Sequence, residues 1–187
     1  EALGNGATGI LPAREIAEAL ALRTGHPEAL LAGERDGLRI RAHLTGGVDF
    51  DLGNSPREFT RDRVAGREII MTTTNGTRAL EACRLARAVF IASFGNVSAL
   101  ARHLVASQSE CLWLICAGTL ENASFEDTLG AGALVDRLLK ETSAPCGFGQ
   151  PRLAQPELAG DIPVCFQEDR NPHVVQLGAD QVLRKIN

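Results

Sequence analysis

The sequence predicts a three-layer α/β/α fold with a mostly parallel central sheet, formed as one domain over residues 1–187. Short apolar or β-branched runs alternate with stretches of helical periodicity between residues 68 and 140, which is typical of successive strand–helix units. Such units need crossover connections, and right-handed crossovers onto one sheet make its strands parallel. The length of 187 residues and the apolar content of 44% fit a single hydrophobic core.

The first two strand–helix units lie between residues 68 and 105. Residues 68–72, Glu-Ile-Ile-Met-Thr, predict a buried strand, and residues 77–87 predict a helix because their apolar side chains share one face. Residues 88–93 predict a second strand. A helix over residues 97–105 follows, and Asn96 is placed to cap its free N–H groups.

A third unit follows, in which the apolar run Cys-Leu-Trp-Leu-Ile-Cys-Ala at residues 111–117 predicts a buried strand before a helix over 125–140. The flanking regions carry weaker signals. We expect strands or extended pieces at 8–11, 38–42, 49–52, 162–166 and 174–177, a helix at 13–22, and a loop rich in Pro, Gly and Ser at 142–156.

The densest set of polar groups follows the first predicted strand, at residues 72–78 (Thr-Thr-Thr-Asn-Gly-Thr-Arg, the 72–78 loop). Ligands of open parallel sheets bind at the carboxyl ends of strands. Hydroxyls, a glycine that lets backbone N–H groups approach, a helix N-terminus and an arginine together favour an oxyanion site. A structural alternative stays open, in which Thr74 or Asn75 caps the helix and the other threonines reflect strand propensity.

A second polar set follows the third predicted strand and includes Cys116, Ser124, Glu126 and Asp127. Adjacent carboxylates beside a phosphate site favour Mg²⁺, which takes a few protein oxygens together with substrate phosphate and water. The spacing of Ser124 and Asp127 is equally that of a capping box. Cys116 is either a nucleophile or a packed, inert thiol.

Several classes of function are disfavoured by composition. A net charge of -4 with four scattered histidines favours neither nucleic acid nor an anionic membrane as partner and gives no zinc-ligand spacing. Aromatic residues make up only 4%, so a base-stacking surface is not expected. Five widely spaced cysteines predict reduced, buried thiols, and with no apolar run of about 18 residues or signal peptide we expect a cytoplasmic protein.

Six motifs that match in order and spacing over most of residues 2–139 together resemble the 2-phosphosulfolactate phosphatase family. They are Gly33-Glu-Arg35, Gly53-Asn-Ser-Pro56, residues 72–80, Ser93-Phe-Gly-Asn96, Cys116-Ala-Gly118, and Glu126-Asp127 followed by Ala131-Gly132. The resemblance implies an Mg²⁺-dependent phosphatase that hydrolyses 2-phospho-3-sulfolactate to 3-sulfolactate, a step of coenzyme M biosynthesis. It also implies that the family's first strand, which carries an Asp-Val-Leu-Arg-Ala-Thr-Thr motif, is absent from this sequence.

The resemblance also implies a role for each matched position. The catalytic set is Thr73, Asn75, Arg78 and Cys116. The phosphate-binding set is Thr72, Thr74, Gly76, Thr77, Asn54, Ser55 and Arg35. On the ground of charge alone, and not of the resemblance, Arg35 or Arg78 is expected to take the sulfonate. The Mg²⁺ ligands are Glu126, Asp127 and Glu34.

The expected partner is a small phosphorylated sulfonate, with no nucleic acid and no membrane, and a homo-oligomer is compatible with the sequence. Two alternatives to this phosphatase stay open. In the first, the chain is a non-catalytic anion-binding or scaffold domain. In the second, it hydrolyses another small phosphoester, because a phosphate site says little about the group attached to the phosphate.

Overall fold

A computed structural model describes residues 1–108, 111–120, 122–141 and 167–186. The described residues separate into two compact units. The first comprises Glu1–Val89 and Gln176–Lys185, and the second comprises the described part of residues 90–175 together with Ile186. The single domain expected over residues 1–187 stays a prediction.

Strands and helices alternate along most of the described chain. The strands are β1 (Gly9–Pro12), β2 (Leu30–Arg35), β3 (Leu38–Arg39), β4 (Glu68–Thr72), β5 (Phe90–Ile91), β6 (Val174–Leu177) and β7 (Leu183–Ile186). The α-helices are α1 (Ile16–Gly25), α2 (Ala42–Thr45), α3 (Arg61–Val64), α4 (Gly76–Cys83), α5 (Val97–Ala106) and α6 (Phe125–Glu141). None of these helices is long and apolar enough to cross a membrane, as judged over the described ranges.

The first unit contains a mixed sheet with the strand order β3-β2-β4-β1-β7, followed by the 176–177 end of β6. Strand β4 pairs in parallel with both β1 and β2, whereas β1–β7 and β2–β3 are antiparallel pairs. The prediction of α/β structure is therefore confirmed, and the prediction of a mostly parallel sheet is wrong. Asp36 and Gly37 explain one antiparallel pair, because both have positive φ and form the two-residue turn that joins β2 directly to β3. The three-layer arrangement stays a prediction.

The core of the first unit lies against β1, β2 and β4. Ile69 and Ile70 of β4 are fully buried, as expected for the central strand of a sheet. Ile70 forms one cluster with Leu31 of β2, Ala19 of α1 and Phe50. Because β1, β2 and β4 are parallel, the segments that follow them emerge at the same edge of the sheet.

The core of the second unit lies between α5 and α6. Buried apolar residues of α5 recur at helical spacing, at Val97, Leu100 and Leu104, and they form one cluster with Ala133 and Leu134 of α6. In the same unit β5 lies beside the 174–175 part of β6. Both helices confirm the sequence-based expectation for these segments.

Asn96 does not cap α5, contrary to expectation. It ends a short 3-10 turn, Phe94–Asn96, that directs its buried side chain back toward the preceding strand. The side-chain amide donates to the carbonyls of Ile91 (2.9 Å) and His173 (3.2 Å), and its oxygen accepts the Ser93 N–H (2.9 Å). The cap prediction is wrong because these contacts occupy the side chain.

Asp169 caps α5 instead. Its carboxylate accepts the Ser98 N–H at 2.9 Å and the Ser98 hydroxyl at 2.6 Å. Partial burial raises the pKa of Asp169, but the two hydrogen bonds from Ser98 and the charges of Arg137 and Arg102 outweigh it, so the pKa is lowered from its ordinary value. The folded state therefore favours the ionised form of this cap.

We expect Asp169→Ala to lower the free energy of unfolding by about 1 kcal/mol at neutral pH, because α5 loses its N-terminal cap. A lowered pKa means that this stabilisation is complete above the ordinary aspartate pKa and is lost as pH falls through the folded value. Denaturant melts of the wild type and the variant should thus differ at pH 7 and converge in strong acid. A constant difference down to the acid limit would contradict the assignment, and Asp169→Asn serves as the uncharged control.

Residues 111–117 do not form the predicted buried strand. The side chains of residues 111–116 are exposed, to 78% at Trp113 and 57% at Ile115, and Ala117 is half-buried. A strand needs a neighbour to complete its ladder of hydrogen bonds, and none of the described strands pairs with this run. The buried-thiol prediction is wrong for the same reason at Cys111 and Cys116, which are exposed, while Cys83 is half-buried.

The remaining predicted elements were located with uneven accuracy. Strand β4 has its predicted bounds, as does β6, and the expected strand at 8–11 and helix at 13–22 appear as β1 and α1. The helix expected over 77–87 ends at Cys83, and the strand expected over 88–93 is reduced to β5. The extended pieces at 38–42 and 49–52 shrink to β3 and a single bridge between Leu52 and Ala32. The loop at 142–156 and the strand at 162–166 lie outside the described residues.

Candidate functional site

An open pocket of about 250 Å³ lies at the carboxyl ends of β1, β2 and β4. It is lined by six residues (the arginine pocket), namely Arg14, Glu15, Arg35, Thr73, Thr74 and Arg78. They come from the segments that follow three parallel strands, so the sheet itself brings them together. Three guanidinium groups against one carboxylate give the pocket a positive field that favours an anionic ligand.

Thr72 and Arg35 connect the strand ends from which this pocket is built. Thr72 is fully buried, and its hydroxyl donates to the Arg14 carbonyl at 3.3 Å and accepts a hydrogen bond from Arg35 Nη2 at 3.1 Å. The second terminal nitrogen of Arg35 donates to the carbonyl of Glu34 at 2.7 Å. These bonds connect the ends of β1, β2 and β4, so both side chains hold the pocket together.

Glu34 positions the 72–78 loop. Its side chain is buried, and Oε1 accepts the Thr74 N–H at 2.8 Å while Oε2 accepts the Gly37 N–H at 2.9 Å. A carboxylate that accepts two backbone N–H groups fixes both segments firmly. Mg²⁺ binding by Glu34 stays a prediction, and the contacts in the structure give this residue a positioning role.

Thr73 and Thr77 close the first turn of α4. The Thr77 hydroxyl donates to the Thr73 carbonyl at 2.9 Å, and the Thr73 hydroxyl accepts the Thr77 N–H at 3.3 Å. Asn75 occupies the N-cap position, but its side chain makes no capping hydrogen bond. The alternative in which Asn75 caps the helix is therefore wrong. The Thr73 hydroxyl, not Asn75, accepts a hydrogen bond from one of the free N–H groups, that of Thr77.

Thr74 lines the arginine pocket, and its hydroxyl oxygen is buried without a hydrogen-bond partner among the described residues. A buried hydroxyl in that state costs free energy unless a ligand or a small rotation satisfies it. Gly76 and Arg78 are exposed in the first turn of α4, where the backbone N–H groups lack intrahelical partners. A hydroxyl, a helix N-terminus and a guanidinium group thus remain for a bound oxyanion.

Asn54 and Ser55 do not line this pocket. They precede the short 3-10 turn Pro56–Glu58, and the Glu58 N–H donates to the Ser55 carbonyl at 3.0 Å. Phosphate binding by Asn54 and Ser55 stays a prediction.

The carboxylates predicted to bind Mg²⁺ in the second unit begin α6. The Ser124 hydroxyl accepts the Asp127 N–H at 3.2 Å, which confirms that half of the predicted capping box, and it also donates to Glu126 Oε2 at 2.9 Å. Asp127 Oδ2 accepts the Gly118 N–H at 2.7 Å. Glu126 accepts through Oε2 and Asp127 through Oδ2 in these contacts.

Two carboxylates suffice for Mg²⁺, which usually completes its shell with water and substrate phosphate. Within the described ranges no group of three or more His, Cys, Asp or Glu residues could hold a metal ion. The donor pair Glu126 and Asp127 is chemically suitable for a substrate-completed Mg²⁺ site, and such a site stays a prediction.

Cys116 is exposed and lies near Asp127. Partial burial raises the pKa of its thiol, and the Asp127 carboxylate raises that pKa further. Because the thiolate is the reactive form, a raised pKa weakens Cys116 as a nucleophile at neutral pH. Its catalytic role stays a prediction.

The arginine pocket contains two residues that sequence reasoning missed, Arg14 and Glu15. Their local sequence, Pro-Ala-Arg-Glu, carries no ligand-binding pattern. They belong to the pocket because β1 pairs with β4 in parallel, with Pro12 opposite Met71. Placing β1 beside β4 would have been the signal that identifies them.

Comparisons with known proteins all indicate the same family. A family model for 2-phosphosulpholactate phosphatase matches residues 1–150. The probable 2-phosphosulfolactate phosphatase of Deinococcus radiodurans is 44% identical over 138 residues, which are 73% of this chain and 55% of the relative. Those of Thermotoga maritima and Caldicellulosiruptor saccharolyticus are 40% and 38% identical, covering 73% and 74% of this chain and 55% and 56% of the relatives. The chain thus spans about half the length of the curated relatives it matches.

Proposed function

Because this chain belongs to the 2-phosphosulfolactate phosphatase family, we propose that it hydrolyses 2-phosphosulfolactate to sulfolactate and phosphate at the arginine pocket. In this reaction the oxygen of water bonds to phosphorus as the ester P–O bond breaks, and the departing alkoxide takes up a proton. A place in coenzyme M biosynthesis is part of the proposal and rests on the family resemblance alone.

The observation that carries the proposal is the Thr74 hydroxyl, which lies in a pocket with three arginines and has no hydrogen-bond partner in the part of the chain that the structure describes. A rotation about one side-chain bond would let this hydroxyl donate to a phosphoryl oxygen. Arg78 lies in the first turn of α4, where its charge and the positive end of the helix dipole both favour an oxyanion. The pocket is therefore arranged to stabilise the negative charge of the transferring phosphoryl group by position and electrostatics.

Mg²⁺ is a further part of the proposal, with Glu126 and Asp127 as its protein ligands. When bound, such an ion would act as a Lewis acid on the oxygen atoms that it contacts. The residues of this chain contribute the rest. Glu34 fixes the Thr74 backbone, Thr73 and Thr77 fix the start of α4, and Arg78 contacts the phosphoryl group.

Replacing Thr74 by valine tests the observation directly, because the two side chains have nearly the same shape. We expect the affinity for inorganic phosphate to fall about tenfold, since one donor is lost. The melting temperature should stay the same or rise, because a buried hydroxyl without a partner has been removed. Titration calorimetry and thermal melts measure both quantities, with Thr74→Ser as the control that keeps the hydroxyl. A lower melting temperature with unchanged phosphate affinity would show that Thr74 is structural.

Phosphate release from 2-phosphosulfolactate tests the reaction itself. The proposal expects turnover with Mg²⁺, loss of turnover on adding EDTA, and recovery with excess Mg²⁺. If EDTA does not change turnover, the proposed Mg²⁺ requirement is wrong, while the proposed phosphatase activity still stands. Saturable binding without any turnover would favour the non-catalytic anion-binding alternative, and turnover of other esters only would favour a different small phosphoester.

A further inference from the structure

The three arginines of the arginine pocket differ in how far the protein already uses them. Arg35 already makes structural hydrogen bonds, because its terminal nitrogens donate to the Thr72 hydroxyl and the Glu34 carbonyl. Arg78 is exposed at the start of α4 and is the guanidinium group placed for the phosphate. Arg14 lies after β1 in the same pocket, and the phosphate site described above does not use it.

The backbone of Arg14 is held firmly at both of its polar groups. Its N–H donates to Glu18 Oε2 at 2.7 Å, and its carbonyl accepts the hydroxyl of Thr72 at 3.3 Å. The second bond ties Arg14 to the last residue of β4, from which the 72–78 loop departs. The position of Arg14 relative to this loop is therefore fixed within the first unit.

The side chain of Arg14 remains available to a ligand. It is 60% exposed, and its only ion pair among the described residues is with Glu15, with Arg14 Nε and Glu15 Oε1 3.9 Å apart. An exposed ion pair at that distance contributes little. A guanidinium group presents a planar fork of donors that matches the two coplanar oxygens of a carboxylate.

We propose that Arg14 is a specificity-determining residue that binds a carboxylate on the same carbon that carries the phosphate ester. The inference rests on the proposed function, because it needs the phosphate to occupy the 72–78 loop. It assigns this carboxylate to Arg14 and not to Arg35, because each terminal nitrogen of Arg35 already donates one hydrogen bond to the protein. Glu15 lines the same pocket, and its negative charge repels a carboxylate bound there. It therefore weakens the preference for a carboxylate-bearing ester.

Two esters that differ in one group provide the test. In 2-phospholactate the ester carbon carries a methyl group and a carboxylate, and in isopropyl phosphate it carries two methyl groups. Titration calorimetry of the full chain in EDTA buffer gives the ratio of the two affinities. We expect the wild type to prefer 2-phospholactate by about tenfold, the size of one charge-assisted pair in a solvated pocket.

The variants separate Arg14 from general charge effects. Arg14→Gln should bring the affinity ratio to about one, Arg14→Lys should leave it in between, and Glu15→Gln should raise it. Arg84→Gln is the matched control, because it removes the same charge from the far end of α4, where Arg84 pairs with Glu81 outside the pocket. Its ratio should equal that of the wild type.

The outcomes distinguish this inference from the proposed function. A preference that persists in Arg14→Gln, or equal losses for both esters, would overturn the role of Arg14 and leave the phosphate site standing. If the wild type binds both esters equally, the inference also fails alone. If the wild type binds neither ester, the phosphate site fails together with the inference.

Discussion

Replacing Arg78 by alanine is expected to lower kcat/KM for 2-phosphosulfolactate about 100-fold, as is common when one preorganised donor to a developing charge is removed. Arg78 is exposed in the first turn of α4 and lines the pocket beside Thr73 and Thr74. Its removal takes away both a charge and a fork of donors for the phosphoryl oxygens. Steady-state phosphate release, with the two kinetic constants resolved, measures the effect.

The same change should hardly affect stability, because an exposed side chain without a structural contact contributes within about 0.5 kcal/mol. Arg84→Ala, at the C-cap of the same helix and outside the pocket, is the control for loss of a positive charge. Arg78→Lys should recover part of the rate. A variant that melts earlier but turns over normally would show that the 72–78 loop has only a structural role.

Replacing Gly33 by alanine should lower the free energy of unfolding by about 3 kcal/mol, the upper range for overpacking in a well-packed interior. A Cβ atom at this position would lie 2.2 Å from the carbonyl oxygen of Thr72 and 3.2 Å from Ile40 Cδ1. Gly33 is the register partner of Thr72 in the parallel pair of β2 and β4. The added methyl group must therefore push apart the two strands that carry Glu34 and the 72–78 loop.

Phosphate affinity should fall together with stability in Gly33→Ala, because Glu34 would lose its hold on the Thr74 N–H. Gly25→Ala is the matched control. No atom lies within 4 Å of a Cβ at that last residue of α1, so it should be neutral or slightly stabilising. Denaturant melts compare the two variants, and equal stabilities would contradict the described approach of β2 to β4.

The sequence-based predictions succeeded where the information is local. Strand β4 has an uninterrupted apolar core and is followed at once by hydroxyl, amide and glycine residues, so both the strand and the 72–78 loop could be identified. Helices α5 and α6 carry clear helical periodicity and were found for the same reason.

The predictions failed where non-local pairing decides the structure. Strand β2 ends in Ala-Gly-Glu-Arg, which has weak strand propensity, and it forms because β4 pairs along it. The run at 111–117 has strong propensity yet forms no described strand, because no described neighbour pairs with it. The mixed direction of the sheet follows from the hairpin at Asp36-Gly37 and from β7, whose pairing with β1 spans most of the chain.

In the candidate site, too, residues in local motifs were predicted and residues placed by strand pairing were missed. Thr73, Thr74, Arg35 and Arg78 were predicted from their motifs and line one pocket. Arg14 was missed, since only the pairing of β1 with β4 brings it there. The role of a side chain within a motif also depends on tertiary contacts that a sequence motif does not show. The Thr72 hydroxyl, for example, bonds Arg35 and the Arg14 carbonyl.

The central claim is that the 72–78 loop binds a phosphoryl group in the arginine pocket, and an NMR titration with inorganic phosphate tests it most directly. The account predicts that the backbone amide signals of Thr74, Gly76 and Arg78 shift and saturate together, while those of His26 and Glu68, at the other end of β4, stay in place. Saturable shifts confined to residues elsewhere, or no saturable shift in the loop up to millimolar phosphate, would contradict it.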